Sequence, residues 1–528
     1  MVKKISPAAL KAMLKGKSPF ALIDVREEGE FNSSHIPGSS WIPRRQLEFR
    51  MSFMVPNIRA HVVVCDDDGR RSELAAETLN RVGYSHVSLL TGGINRWAYE
   101  NYATEWGLNV ASKEFGERVK EEHQVPEIEA TELYERMESD NKLIVLDPRT
   151  PEEFHSFCIP GAYNVPGVEL GYRITDIVKH MDKDCTICVS CAGRTRGIIG
   201  ARSLQRMGLP NVYSLKNGTM GWVLASYQLE KGADRVSLPK VSKEGVAEAE
   251  EYATRLAAED GVRYLDIRGL QKLMDRREQE TVYLIDVRTK EEYQQGHIPG
   301  FRWLSGGQVV QQSDMLAVKN STIVFVCDGK ARAIFTASWY RQMGFVDIYV
   351  VDGGTTAWSA AHLNLEKGMP DPPPFGLEEA REKVRLLSPV ELRASQIPVV
   401  IFVDTSFDFA RSHVHGAQWV PRGWLELWIA NIAPSKDTPI AVTCFTGLNA
   451  TLAGATLVEL GYRDVSVLEG GITACQEQAD YPLECGLCGV MTQPRDLVYS
   501  EIDPNYAEMI EYLRWEVALG KNYKKHPK

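Results

Sequence analysis

Residues 22–38 read LIDVREEGEFNSSHIPG, and this stretch decides the fold because its pattern occurs four times along the chain. Each copy has an apolar run that ends in Asp, then a charged stretch, then a turn that resembles His-Ile-Pro-Gly. The separation between the Asp and the final Gly is 14 residues in three copies and 12 in the fourth. A repeat of this kind sets the domain count and lets one copy be compared with another. The other copies are residues 145–161 (VLDPRTPEEFHSFCIPG), 284–300 (LIDVRTKEEYQQGHIPG) and 402–416 (FVDTSFDFARSHVHG).

A second marker lies downstream of a β-like run in each repeat, at residues 92–93, 217–218, 353–354 and 470–471. The residue that stands 26 positions before the start of each marker begins the loop after that run. Cys65 lies one residue too early, so the first repeat is predicted to carry a carboxylate where the others carry a thiol. The four equivalent positions are Asp66, Cys191, Cys327 and Cys444.

The length of 528 residues is too great for one core and fits four domains of ordinary size. The expected domains span residues 1–110, 125–235, 260–370 and 385–486, and a tail with a helix spans 487–528. A hydrophobic content of 44% and a charged content of 25% are typical of soluble globular proteins. The net charge of −10, without a basic block, argues against nucleic acid and membrane partners. Ten scattered cysteines favour a reducing, cytoplasmic location.

Strand-like runs alternate with amphipathic helical stretches inside each repeat. This alternation predicts an α/β fold in which helices cover both faces of a parallel sheet. The arginines that follow the repeat's Asp by two residues, Arg26, Arg149 and Arg288, are expected to fix the turn by charge-assisted contacts. The helix predicted in the tail is expected either to dock on a domain or to pair with another chain as a homo-oligomer.

The loop after the strand carries the candidate chemistry, and the second repeat shows it best. Residues 191–197 read CAGRTRG and precede a helix-like stretch. Backbone amides between a strand tip and a helix start form an anion cradle. A thiol of ordinary pKa is only about 3% ionised at pH 7, and a decrease of about two units would make it mostly thiolate. Since Arg194 and Arg196 add two cations and the loop has no acid, the sequence predicts a reactive Cys191 thiolate that meets a small anion.

The Asp-x-Arg opening, the His-Ile-Pro-Gly turn, the Cys-led loop and the Gly-Gly-x-x-x-Trp element together resemble the rhodanese (sulfurtransferase) family, four times over residues 1–486. The resemblance implies a parallel five-stranded sheet flanked by helices in each domain. It also implies that the loop Cys takes sulfane sulfur from an anionic donor such as thiosulfate, forms a persulfide, and passes the sulfur to cyanide or a thiol. Neither a metal nor an organic cofactor is implied. The residues expected to bind the donor are Ala192, Gly193, Arg194, Thr195, Arg196 and Gly197.

The other three loops depart from this pattern. Cys444 begins the sequence CFTGLNA, in which Asn449 replaces the second Arg, and it is a candidate second catalytic centre. Cys327 begins CDGKARA, in which Asp328 opposes both thiolate formation and anion binding, so its activity is left open. The first loop reads DDDGRRS, and its three carboxylates predict a catalytically silent domain.

Two alternative functions stay open. A scaffold of four binding modules could carry a persulfide only incidentally. A Cys-based phosphatase or arsenate reductase of the same fold would use a Cys, five residues and an Arg, a spacing that Cys65 and Arg71 match. The Asp triplet between them makes phosphate binding there electrostatically poor, and the loop of the second repeat is one residue too short for that chemistry.

Overall fold

A computed structural model describes residues 2–139, 142–179, 181, 185–236, 238, 240–478, 480–490, 492–499 and 504–525. Positions 237 and 239, between the predicted domains 2 and 3, and positions 491, 500–503 and 526–528 of the predicted tail therefore lie outside the described residues. The chain forms two compact units. Unit 1 consists of Met1–Leu108, Ala317–Lys319 and Asp371–Ile502 and holds the first and fourth repeats. Unit 2 consists of Asn109–Leu316, Asn320–Pro370 and Asp503–Lys528 and holds the second and third repeats with the C-terminal helix.

Each repeat folds as one α/β domain, and the domains are numbered 1 to 4 in chain order. Domains 1 and 2, with the helix α6 between them, have the following elements. The strands are β1 (Lys3–Ile5), β2 (Phe20–Asp24), β3 (Ser40–Trp41), β4 (Val62–Cys65), β5 (Val87–Leu90), β6 (Glu127–Ile128), β7 (Leu143–Asp147), β8 (Tyr163–Asn164), β9 (Thr186–Val189) and β10 (Val212–Leu215). The helices are α1 (Pro7–Lys15), α2 (Glu28–Ser33), α3 (Leu47–Met54), α4 (Arg70–Arg81), α5 (Gly93–Tyr99), α6 (Val110–His123), α7 (Ala130–Ser139), α8 (Pro151–Ser156), α9 (Glu169–Val178), α10 (Thr195–Arg206) and α11 (Gly218–Leu224).

Domains 3 and 4 repeat this order, and the helices α12 and α18 precede them. The strands are β11 (Arg263–Leu265), β12 (Val282–Asp286), β13 (Arg302–Trp303), β14 (Val318–Lys319), β15 (Thr322–Val326), β16 (Ile348–Val351), β17 (Arg385–Leu387), β18 (Val399–Phe402), β19 (His413–Val414), β20 (Gln418–Trp419), β21 (Ile440–Thr443), β22 (Val465–Leu468) and β23 (Leu483–Glu484). The helices are α12 (Lys243–Asp260), α13 (Ile267–Asp275), α14 (Lys290–Gln295), α15 (Gly306–Gln311), α16 (Ala331–Met343), α17 (Gly354–Ala360), α18 (Leu377–Lys383), α19 (Pro389–Ala394), α20 (Ser406–Arg411), α21 (Leu425–Ile432), α22 (Leu448–Glu459) and α23 (Gly471–Gln476), followed by the C-terminal α24 (Tyr506–Lys525).

The four sheets share one strand order, and the predicted parallel five-stranded sheet flanked by helices is confirmed. In domain 2 the order is β6-β10-β9-β7-β8, and every pairing is parallel. Unit 1 adds one strand to this pattern, because β14 pairs antiparallel with β2. The loop that begins with Asp66, Cys191, Cys327 or Cys444 follows the central strand of its sheet. It therefore lies at the carboxyl edge, where α/β sheets bind ligands.

A buried ion pair fixes the turn after the second strand of each of the first three domains. In domain 2, Arg149 Nη2 donates to Asp147 Oδ2 at 2.8 Å and to the carbonyl of Phe157 at 2.5 Å. Both charged side chains are fully buried. Arg26 and Arg288 make the same contacts in domains 1 and 3. The predicted role of these arginines in the turn is confirmed.

The chain between the predicted domains 1 and 2 is helical, since α6 covers most of residues 111–124. This helix packs against α10, which follows the Cys191 loop, and against the C-terminal helix α24. Leu513 of α24 is buried, whereas Ile510 is exposed. Of the two uses expected for the C-terminal helix, docking on a domain is therefore the one that the structure shows.

The buried Arg149–Asp147 pair gives a test of what holds domain 2 together. Arg149→Met leaves the Asp147 carboxylate buried without its counter-ion, so we expect the free energy of opening of β9 to fall by about 3–5 kcal/mol. The measurement is hydrogen exchange of β9 amides by mass spectrometry. The matched control is Lys216→Met, which removes the exposed pair with Glu129 in the same domain and should cost about 1 kcal/mol or less. Equal losses in both variants would contradict this account of the turn.

Candidate active site

The four loops are equivalent in space as well as in spacing. The carbonyl of Cys191 accepts a hydrogen bond from the Thr219 amide at 2.8 Å, just after the downstream marker. The carbonyls of Asp66, Cys327 and Cys444 accept the corresponding bonds at 2.8, 2.9 and 3.0 Å. Gly218 approaches so closely that a β-carbon there would lie 2.1 Å from the Cys191 carbonyl oxygen, which explains the glycine of the marker. Asp66 therefore occupies the position that a thiol occupies in the other domains.

The Cys191 thiol lies at the base of the loop and is 3% exposed. Burial raises the pKa of Cys191, while the Arg196 guanidinium and the amide of Gly197 act in the opposite direction. The carboxylates of Glu516 and Asp147 add to the increase. Burial thus outweighs the cation and the amide in their effect on the pKa of Cys191, whereas the loop composition takes account only of the groups that lower this pKa.

Arg196 is held by a fork of two hydrogen bonds to Glu153, each 2.7 Å long. Glu153 also occupies the third position of α8, where it forms a capping box with Thr150. Burial alone would raise the pKa of Glu153, but the hydrogen bonds and charge of Arg196 lower it to about 2. This clamp fixes the orientation of Arg196 near Cys191, and a role in binding an anionic donor stays a prediction.

Arg194 is almost fully buried. Its guanidinium donates to Glu117 of α6 at 2.5 Å and to Asn217 at 3.0 Å, and it lies 3.0 Å from Glu127. Of the two cations counted in the sequence, Arg194 is thus neutralised by two carboxylates. Its predicted contribution to donor binding is not tested by this geometry.

The remaining loop residues form the wall of the site. The carbonyl of Ala192 accepts the amide of Met220 at 3.1 Å, which ties the loop to α11. Thr195 begins α10, and its hydroxyl donates to Glu516 Oε1 of α24 at 2.7 Å. A β-carbon at Gly193 would lie 3.1 Å from Oε2 of the same glutamate. The C-terminal helix therefore contacts the loop of the candidate nucleophile.

The Cys327 loop of domain 3 is surrounded by acids. Arg332 is fully buried and bonds Glu292, Asp328 and, from α9 of domain 2, Glu169. Burial and the Asp328 carboxylate raise the pKa of Cys327 to about 12, although Arg332 and the amide of Ala333 act against them. The carboxylate beside the thiol has the effect that the sequence predicts.

The Cys444 loop of domain 4 uses amides instead of a cation. The amides of Gly447 and Ala450 lie 3.0 and 3.2 Å from the sulfur. Asp404 has no arginine partner of the kind found in the other domains, and it instead accepts from the Phe445 amide and from Asn449. Burial and then Asp404 raise the pKa of Cys444, while the loop amides lower it.

The carboxylate of Asp66 fills the cradle of domain 1. It accepts hydrogen bonds from the amides of Gly69 and Arg71, at 2.7 and 2.8 Å, and from the Ser72 hydroxyl at 2.7 Å. An internal carboxyl group thus occupies the hydrogen-bond donors that a persulfide would use. Cys65 is the last residue of β4 and lies in the apolar core, and Arg71 is bound to Glu30 and Asp67, so the geometry does not assemble the alternative phosphatase pair.

Three carboxylates contact the loops in ways that the sequence pattern does not predict. Glu117 and Glu516 come from helices outside the repeats, and no local pattern connects them to the loop. The role of Asp404 was, however, predictable from the sequence. Domain 4 lacks the Arg of the opening and the second Arg of the loop, so the Asp404 carboxylate must accept hydrogen bonds from other donors, such as backbone amides.

Cys485 and Cys488 are exposed and free, whereas Cys185 and Cys188 are buried at the start of β9 and within it. No group of three or more His, Cys, Asp or Glu in the described ranges is arranged to hold a metal ion. Among those same residues, no helix combines the length and the apolar character needed to cross a membrane.

Known proteins resemble the chain both domain by domain and as a whole. The model of the family described as "Rhodanese-like domain" matches residues 6–100, 129–225, 269–361 and 389–478. A thiosulfate sulfurtransferase GlpE of Pseudoalteromonas translucida is 34% identical over 100 residues, which are 19% of this chain and 91% of that protein. A sulfurtransferase of Allochromatium vinosum is 34% identical over 98 residues, which are 19% of this chain and 90% of that one. A crystal structure of a thiosulfate sulfurtransferase from Pseudomonas aeruginosa is 32% identical and has a TM-score of 0.89, and the match covers 99% of this chain and 98% of that one.

The burial and charge of the thiols predict an order of alkylation by iodoacetamide. Cys485 and Cys488 should react first because they are exposed, then Cys191, and then Cys327. The rate at Cys327 should rise about tenfold per pH unit between pH 7 and 10, because only the thiolate reacts and the pKa near 12 lies above that window. Peptide mapping by mass spectrometry over a time course gives each rate separately. A Cys327 rate that levels off below pH 9 would contradict the predicted influence of Asp328.

Proposed function

The chain belongs to the rhodanese-like family, and from this membership we propose that it is a sulfurtransferase in which Cys191 carries the transferred sulfur as a persulfide. Sulfurtransferase activity in general is supported by the four family matches and by the sulfurtransferases that resemble the chain. The finer proposal names the nucleophile, a donor such as thiosulfate, and cyanide or a thiol as acceptor. The observation that carries it is the Cys191 loop, in which a thiol at a strand end faces an amide and one oriented cation.

The reaction needs two displacements. The Cys191 thiolate attacks the sulfane sulfur of thiosulfate, an S–S bond forms, and the bond to the sulfonate breaks to release sulfite. Cyanide then attacks the outer sulfur of the persulfide, which releases thiocyanate and returns the thiolate. Charge lies on the cysteine sulfur or on the outer sulfur throughout, so the amide of Gly197 and the Arg196 guanidinium can stabilise each state.

The other domains take different roles in this proposal. Cys444 is a second candidate centre because two amides already point to its sulfur. Cys327 is a weaker candidate because Asp328 and Glu169 surround its cation with negative charge. Domain 1 is proposed to be structural, since Asp66 cannot accept sulfur.

The first test of the proposal is persulfide loading after incubation with thiosulfate. We expect an adduct of about 32 Da, one sulfur atom, on the Cys191 peptide, and we expect cyanide to remove it. Cys191→Ser should abolish most thiosulfate:cyanide activity, and Cys444→Ser and Cys327→Ser serve as matched comparisons. An unloaded Cys191 peptide, or a Cys191→Ser variant at nearly full rate, would transfer the role to another cysteine. No adduct on any loop cysteine, with thiosulfate or with 3-mercaptopyruvate, would favour the binding scaffold.

The Arg196 clamp predicts a change in the pH dependence of the nucleophile. Arg196→Met removes the cation that lowers the pKa of Cys191. The midpoint of its alkylation profile should therefore rise by at least about one pH unit, which lowers the thiolate fraction at pH 7 about tenfold. The control is Arg206→Met at the far end of α10, where the side chain bonds Asp260 and Glu259. An unmoved profile in Arg196→Met would show that the clamp is only structural.

A further inference from the structure

The C-terminal helix places a glutamate against the Cys191 loop. Glu516 lies on α24, which packs against α6, and its side chain is 1% exposed. One oxygen, Oε1, accepts the hydroxyl of Thr195 at 2.7 Å. The other, Oε2, lies against Gly193, where a β-carbon would be 3.1 Å away. Glu516 thus reaches the two loop residues that flank Arg194.

The second oxygen of Glu516 is buried and has no hydrogen-bond partner among the described residues. A buried carboxylate oxygen is costly to leave without a hydrogen-bond donor, so this oxygen needs an explanation. The charged groups around it are Lys113, Glu117 and Arg194. Arg194 is already paired with Glu117, and the Lys113 ammonium lies 4.9 Å from the ring of Tyr512 and 5.0 Å from that of Trp515. Burial raises the pKa of Glu516, while Lys113, the Thr195 hydroxyl and Arg194 act in the opposite direction. The helix therefore brings a carboxyl group to the loop, and its rings of Tyr512 and Trp515 lie near the Lys113 ammonium.

The same arrangement recurs in domain 3 with a different helix. Glu250 of α12 lies over the Cys327 loop, where a β-carbon at Gly329 would be 2.6 Å from its Oε1. Gly329 and Gly193 each follow the loop cysteine by two residues. Two helices from separate parts of the chain thus present a glutamate to the equivalent glycine of both thiol loops in unit 2.

We propose that Glu516 is a specificity-determining residue of the Cys191 site, which selects sulfane-sulfur donors of low negative charge over dianions. This inference rests on the proposed function, because it assumes that Cys191 accepts sulfur. A carboxylate fixed beside the loop repels an incoming anion, and the repulsion grows in proportion to the charge of that anion. Thiosulfate, a dianion, should be penalised twice as strongly on a logarithmic scale as a monoanionic donor.

Methanethiosulfonate provides the matched monoanion, since it delivers the same kind of sulfur atom. In both cases the Cys191 thiolate forms an S–S bond to the sulfane sulfur. The bond that breaks releases sulfite from thiosulfate and methanesulfinate from methanethiosulfonate. The two donors thus differ at the leaving group by one charge while the step at Cys191 stays the same.

The experiment measures the initial rate of persulfide loading on the Cys191 peptide of the full-length protein with each donor. In Glu516→Gln, which keeps the shape of the side chain, loading from thiosulfate should rise about tenfold and loading from methanethiosulfonate about threefold. Glu516→Asp, which keeps the charge, should preserve the wild-type ratio between the donors. Glu508→Gln, at an exposed position of the same helix, should change neither rate.

The possible outcomes distinguish the proposed function of Cys191 from the proposed role of Glu516. An unloaded Cys191 in the wild-type protein would refute the proposed function itself. A wild-type protein that loads Cys191, with Glu516→Gln equally faster for both donors, would show that the variant opens the site without a charge effect and would overturn the specificity role. Unchanged rates in Glu516→Gln would overturn it as well.

Discussion

The bidentate ion pair between a loop arginine and the glutamate of a capping box connects the two halves of the site in three domains. Glu30, Glu153 and Glu292 each stand at the third position of a short helix and accept the amide of its N-cap residue. The same carboxylates hold Arg71, Arg196 and Arg332. In each of these domains the glutamate therefore caps the N-terminus of the short helix and also orients the loop arginine. The position of the helix and the position of the loop are thereby coupled. Domain 4 has Asn449 in place of the arginine, and there Asp404 turns to the loop instead.

What fills the amide cradle distinguishes the four domains. A carboxylate occupies it in domain 1, and a thiol occupies it in domains 2, 3 and 4. In all three thiol loops burial raises the pKa of the cysteine, and in domains 3 and 4 a neighbouring aspartate is the next contribution in the same direction. Cys191 differs because its largest electrostatic contribution comes from a cation, Arg196. The three loop cysteines therefore differ in their expected reactivity because different charges lie nearest to the sulfur, although all three loops contain a thiol.

The repeats made the fold and the register of the loops predictable. Each element of the repeat is required by a local contact; Gly218, for example, approaches the Cys191 carbonyl closely. The spacing of these elements was therefore enough to align Asp66 with the three cysteines. The electrostatics of the site were not predictable in the same way. Both loop arginines were counted as free cations, but Glu117 neutralises Arg194 from a helix in the linker. The contact between Thr195 and Glu516 joins residues 321 positions apart, and no periodicity encodes such a contact.

The order of the domains along the chain has a consequence for synthesis on the ribosome. Arg44 of domain 1 is bonded to Glu426 of domain 4, and Arg422 of domain 4 is bonded to Glu48 of domain 1, all within unit 1. The first of these pairs spans 382 residues, which take about 20–75 s to synthesise at 5–20 residues per second. For that time the nascent domain 1 presents partly buried arginine and glutamate side chains without their partners. Domains 2 and 3 emerge in between and can complete unit 2 earlier, except for its C-terminal helix, so the Cys191 loop acquires the Glu516 carboxylate only after domain 4 has been synthesised.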